Sequence, residues 1–186
     1  MKVIVAITGA SGAIYARLLL ERLLACRDVE HIWLVSSRTG IETAAFEGQT
    51  MPSDSRIEVL DNNDMFAAIA SGSVRCEAMI VVPCSVGTLA RIAHGISQTL
   101  IERAADVMLK ERRKLVLVVR ETPYSLIHLR NMLSVTEAGG VIVAAAPSFY
   151  SRPATIEQAV MTVVERALQQ AGVQTEHFEW SKPQTL

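Results

Sequence analysis

Three short clusters in this chain combine small hydroxyls, glycines and charges at spacings that suit a ligand. Thr8-Gly9-Ala10-Ser11-Gly12, Pro83-Cys84-Ser85-Val86-Gly87-Thr88 and Arg120-Glu121-Thr122-Pro123 each follow a short apolar, β-branched run. Ser85, Gly87 and Thr88 offer small side chains and free backbone N–H groups at a predicted helix start, which suits an anion or a ring with carbonyl edges. Arg120 and Glu121 leave their strand as a charged pair that a structural turn does not need. Ser11 reads as an N-cap, a ligand contact or both. The first turn is not G-x-G-x-x-G and no Gly-Lys-Ser/Thr follows, so dinucleotide and P-loop readings lose ground. A tight turn that needs glycine for its geometry alone is the plain alternative.

Other reactive side chains carry less. Cys84 sits at a strand end, where a small buried filler is the simpler reading, and no histidine lies near it in sequence. His94 and His128 meet the same objection. Arg103 and Lys110 are two helical turns apart on one face, but Glu102, Asp106 and Glu111 alternate with them, and a salt-bridged surface helix explains that pattern. Glu42 and Glu47 read by default as solvated glutamates. No cluster of His, Cys or Asp has metal-ligand spacing, so no metal is expected. Tyr150 places a phenol at another strand end, and Arg166 lies off the apolar face of the last helix.

The elements that must position these groups alternate regularly. Strands are predicted at 2–8, 31–35, 57–60, 78–82, 115–119 and 141–146, from β-branched runs bounded by turn residues. Two helices are expected between the fourth and fifth strands, with others after 12, over 125–138 to a Gly139-Gly140 stop, and over 156–170. The second strand ends in Ser36-Ser37, not the acidic residue of NAD enzymes. This order describes one three-layer, mostly parallel α/β domain over 1–186. In such a sheet, ligands sit outside the carboxyl ends of the strands, where all three clusters fall.

Composition sets outer bounds. The chain has 186 residues, half of them hydrophobic, and a mean hydropathy of +0.29, yet no apolar run approaches the ~20 residues of a membrane span. The apolar surplus reads as subunit interface. Within it, the 172–186 tail is expected to pack its Phe178 and Trp180 on a neighbouring subunit. The absence of a signal peptide and three scattered cysteines point to a reducing cytoplasm. A net charge of −1 gives no case for nucleic acid or an anionic membrane.

Taken together, the motifs resemble the UbiX-type flavin prenyltransferases, within the superfamily of flavin-dependent cysteine decarboxylases. The resemblance runs from Val3 to about Leu168. It rests on Thr8-Gly9-Ala10-Ser11-Gly12, Pro83-Cys84-Ser85 with Thr88-Leu89, Arg103-Ala104-Ala105-Asp106-Val107, Leu109-Lys110-Glu111, Arg120-Glu121, Ile127-His128-Leu129 with Asn131-Met132, and Pro147, Phe149-Tyr150 and Pro153. It implies a Rossmann-like or flavodoxin-like sheet with helices on both faces. FMN would be held by Gly9, Ala10, Ser11, Ser37, Ser85, Val86, Gly87, Thr88 and Arg120. Dimethylallyl phosphate would be held by Tyr150 and Arg166, with Arg103 and Lys110 in the same pocket, without a metal. Ser11, Glu47 and Glu121 would act near the reacting atoms. The implied product is prenylated FMN for a UbiD-type decarboxylase, and the implied assembly is a homododecamer with pockets between subunits.

Some positions depart from the family pattern. Gln98-Thr99 stand where Asp or Asn with Asn or Gly is frequent, Met65 aligns with a Trp of some members, and Ala144-Ala145 replace prolines. Two rival readings remain at this stage. An FMN-dependent cysteine decarboxylase would carry a Pro-x-Met-Asn-x-x-Met-Trp segment, which is absent. A non-catalytic flavin carrier would leave Arg103, Lys110, Tyr150 and Arg166 without a task.

Overall fold

The computed structural model describes Met1–Gln174; the expected packing of Phe178 and Trp180 lies outside the described residues. Six strands form one wholly parallel sheet: β1 (Lys2–Ile7), β2 (His31–Ser36), β3 (Ile57–Asp61), β4 (Ala78–Cys84), β5 (Lys114–Val119) and β6 (Val141–Ala144). Their spatial order is β3-β2-β1-β4-β5-β6. The chain winds outward from β1 in one direction, then returns to β4 on the other side, so the switch point lies between β1 and β4. Strands buried on both faces read as continuous apolar runs rather than alternations; all seven residues of β4 are buried. Pro83, which cannot donate to a ladder, sits where the β4–β5 register shifts between Val81 and Cys84.

The helices are α1 (Ala13–Ala25), α2 (Arg38–Phe46), α3 (Val86–Ala93), α4 (Leu100–Lys110), α5 (Leu126–Glu137) and α6 (Ile156–Ala171). Leu19, Leu20 and Leu23 of α1 and Val163, Val164 and Leu168 of α6 pack with Val3, Val5, Val116 and Val118 on one sheet face. Leu89 of α3 and Leu100, Ile101 and Met108 of α4 pack with Ile4, Met79, Leu115 and Leu117 on the other. Helix α4 and helix α6 therefore lie on opposite sides of the sheet. Helix α5 differs from its neighbours, for it buries only Asn131 and Val135. Leu126, Ile127, Leu129 and Leu133 stay exposed, as do Phe46 and Phe66 at 93% and 100%. Among the described residues no helix is long and apolar enough to cross a membrane.

Candidate active site

The carboxyl ends of the strands bring the three sequence clusters together. Thr8, the polar residue just past β1, joins two of them. Its hydroxyl donates to the Pro83 carbonyl (2.8 Å) and accepts from the Ser85 amide (2.8 Å). One buried hydroxyl thus locks the Gly9–Gly12 turn to the start of α3 across the switch point. Gly9 is required because Thr39 approaches closely: a Cβ there would lie 2.4 Å from Thr39 Oγ1. Gly12 is required by its φ of 109°. Ser37 caps α2, accepting from the Gly40 amide at 3.0 Å.

The start of α1 corrects two sequence expectations. Ser11 is not its N-cap; Gly12 is, without a side-chain cap. Glu47, at the C-terminal end of α2, is not a solvated glutamate, because its carboxylate reaches across and takes that role. It accepts from the Gly12 amide at 2.9 and 3.0 Å and from the Ala13 amide at 2.7 Å. Burial works against its ionised form. The Ser11 hydroxyl, the Gly12 and Ala13 amides and the Arg120 charge outweigh that, and hold its pKa below the ordinary carboxylate value. An anion thus already sits at the positive end of α1. The amides of Val86 and Gly87, in the first turn of α3, meet no acceptor among the described residues. The open anion position is at α3.

Arg120 leaves β5 beside this turn, its amide donating to the Cys84 carbonyl at 3.2 Å. Its Nε is buried and has no partner among the described residues. A buried, unpaired guanidinium nitrogen is costly unless a ligand completes it. Burial raises the Tyr15 phenol pKa, against the nearby Arg120 charge, and its hydroxyl donates to the Ala145 carbonyl at 3.4 Å. Among the described residues Glu121 accepts only from the Thr122 amide, at 2.9 Å. Burial pushes the Cys84 thiol up to about 12, which removes it as a thiolate nucleophile at neutral pH. His128 is engaged in the capping box of α5 with Ser125. Among the described residues no group of three His, Cys, Asp or Glu side chains converges as a metal cluster would.

The remaining candidates fall elsewhere. Tyr150 and Arg166 line a cleft of about 1110 Å³ between the end of β6 and α6, with Ser148, Met161 and Thr162. Ser11, Ser85 and Arg120 are not among the residues that line that cleft. Arg103 and Lys110 belong to α4, across the sheet. Arg103 pairs with Asp106 at 2.7 Å and donates to the Ala70 carbonyl at 3.0 Å; Lys110 pairs with Glu111. A single chain therefore does not bring Arg103 and Lys110 to Tyr150 and Arg166. Sequence reasoning placed Thr8 in a motif without giving its hydroxyl a role, and missed Tyr15 and the Arg91–Glu102 pair. The signal for the last was present as Thr99-Leu100-Ile101-Glu102, the capping box that opens α4.

A doubly wound parallel sheet with a glycine turn and a free helix start at its switch point, and with the buried Nε of Arg120 at the end of the adjoining β5, defines a nucleotide-binding α/β protein. Residues 1–170 match the Flavoprotein family. The chain is 40% identical over 179 residues to the flavin prenyltransferase UbiX of Methanocaldococcus jannaschii, covering 96% of this chain and 97% of that one. The crystal structure of AnUbiX (PadA1) in complex with FMN and dimethylallyl pyrophosphate superposes with a TM-score of 0.86, at 44% identity over 97% of this chain and 98% of the other. A dodecameric FMN-dependent Ubix-like decarboxylase from Escherichia coli O157:H7 gives a TM-score of 0.89, at 41% identity over 98% and 100% of the two chains. The chain belongs to the flavoprotein family and, within it, to the UbiX flavin prenyltransferases.

Proposed function

We propose that this flavin prenyltransferase joins the dimethylallyl group of dimethylallyl phosphate to N5 of reduced FMN, with ring closure at flavin C6. The observation that carries the reading is the buried, unpaired Nε of Arg120 beside the free first turn of α3. Those donors fit the phosphate and carbonyl edges of FMN, the flavin bound in the AnUbiX crystal structure. Bound reduced flavin supplies the nucleophilic ring nitrogen. Gly9, Ala10, Ser11, Ser37, Ser85, Val86, Gly87, Thr88 and Arg120 hold and orient it.

The residues suit transfer without a metal. Loss of an allylic phosphate needs fixed donors for the departing charge, which Tyr150, Arg166, Arg103 and Lys110 supply. Glu47 donates nothing and is a weak base, since its oxygens are held by two amides and the Ser11 hydroxyl. Its task is to orient Ser11, whose oxygen is left to accept from the ring. Glu121, on which among the described residues only the Thr122 amide donates, or the released phosphate is then the base for the C6 proton.

Because α4 and α6 flank opposite sheet faces, one phosphate can meet all four donors only where copies of the chain adjoin. The exposed apolar face of α5 supports such contact, as does the dodecameric E. coli relative. We take the assembly to be a homododecamer of single-domain chains in the cytoplasm, passing prenylated FMN to a UbiD-type decarboxylase. The test is anaerobic: protein, reduced FMN and dimethylallyl phosphate are mixed and the flavin is weighed by mass spectrometry. A flavin heavier by one five-carbon unit is expected. Unmodified FMN with both the monophosphate and the diphosphate would overturn the reading in favour of a flavin carrier.

A further inference from the structure

A hydrogen-bonded chain runs from the first turn of α4 to the open turn of α3. Glu102 is only 3% exposed, and its carboxylate accepts from the Gln98 and Thr99 amides, each at 3.0 Å, and from Arg91 Nε. With Nε so held, the Arg91 guanidinium lies back along α3, and its Nη2 donates to Thr88 Oγ1 at 3.3 Å. Thr88 Oγ1 also accepts from Ser85 Oγ at 3.1 Å. A hydroxyl has two acceptor positions and one proton. Both positions on Thr88 are filled, so Thr88 is left only to donate. Thr88 is itself only 3% exposed, and no acceptor among the described residues takes that proton.

We propose that Arg91, fixed by the buried Glu102, sets Thr88 as a donor to the phosphate of the bound flavin, and so selects a phosphorylated flavin over an unphosphorylated one. The inference rests on the flavin-binding reading above. Three donors then converge at the α3 turn: the Thr88 hydroxyl and the amides of Val86 and Gly87, at the positive end of the helix. A buried carboxylate in an ordinary clasp between two helices is replaceable by apolar packing at little cost. Here the carboxylate aligns a guanidinium whose other arm fixes the polarity of a hydroxyl in the ligand turn. Arg91 and Glu102 are positioning residues, for neither needs to touch the ligand.

The test compares FMN with riboflavin, which differ only by the phosphate. Binding of each oxidised flavin to the flavin-free oligomer is followed by fluorescence quenching for the unaltered chain, Glu102→Gln and Arg91→Met. Unaltered protein is expected to prefer FMN. Both variants should lose about tenfold in FMN affinity, roughly one charge-assisted hydrogen bond, with riboflavin affinity unchanged. Arg91→Lys, which keeps the charge without the two-armed hold, should recover less than half of the loss in logarithmic terms. An equal drop for both flavins would show a merely structural clasp and overturn the proposal, as would an unchanged FMN-to-riboflavin ratio. If unaltered protein binds neither flavin, the flavin-binding reading itself falls. Glu102→Gln touches a buried site; Arg91, whose side chain is 41% exposed, carries the test alone if that variant does not fold.

Discussion

Glu47→Gln tests the reasoning at the start of α1 most directly. The change keeps size and one carbonyl oxygen but places an NH2 group against amides that now meet a carboxylate oxygen. Glu47 accepts from two amides and the Ser11 hydroxyl. Hydrogen bonds to a charged group contribute about 1.5–3 kcal/mol each, and an anion at a helix start about 0.3–1 kcal/mol. Partial exposure of the carboxylate reduces these, so one lost bond and the lost charge amount to about 2 kcal/mol at neutral pH. The pKa of Glu47 is lower in the folded chain than in the unfolded one. Its contribution is therefore full above the unfolded value of about 4.3, and is lost as pH falls through the lowered folded value. Urea unfolding of both proteins at one protein concentration, from pH 7 to pH 3.5, measures this difference. A gap of about 2 kcal/mol that narrows below pH 4.3 is expected. Glu42→Gln, which loses only an exposed 3.8 Å pair with Arg38, should stay within about 0.5 kcal/mol of the unaltered protein. A Glu47→Gln gap no larger than the Glu42→Gln gap, or one that persists unchanged in acid, would refute the argument.

Two further outcomes follow from placement and burial. Arg103→Ala and Tyr150→Phe should each abolish prenyl transfer while FMN binding survives. Mixed oligomers reassembled from equal amounts of the two variants should regain activity at about a quarter of their sites, from random pairing; continued inactivity would show that both residues must come from one chain. Cys84, with its thiol pushed up to about 12, should resist a disulfide reagent at pH 8 under native conditions, as should Cys76, pushed up to about 11. Cys26, only partly buried, should react first, and labelling of Cys84 at the rate of Cys26 would contradict the burial.

What the sequence determined by itself was the series of elements and the positions of their polar ends. Continuous apolar runs mark strands covered on both faces, and glycine or hydroxyl residues at their ends mark turns, because both signals arise from neighbours along the chain. That was enough to place Ser11, Ser85, Thr88 and Arg120 at strand ends, and the family motifs then named the ligand. Tertiary structure alone decided the partnerships. Glu47 lies 35 residues from Gly12, and nothing local distinguishes it from the solvated Glu42. It becomes the cap of α1 because α2 packs against α1 and sets Glu47, at the end of α2, on the Gly12 and Ala13 amides. Arg103 and Arg166 both read as surface arginines on amphipathic helices. Only the sheet, by placing α4 on one face and α6 on the other, shows that one chain cannot bring them to a common phosphate.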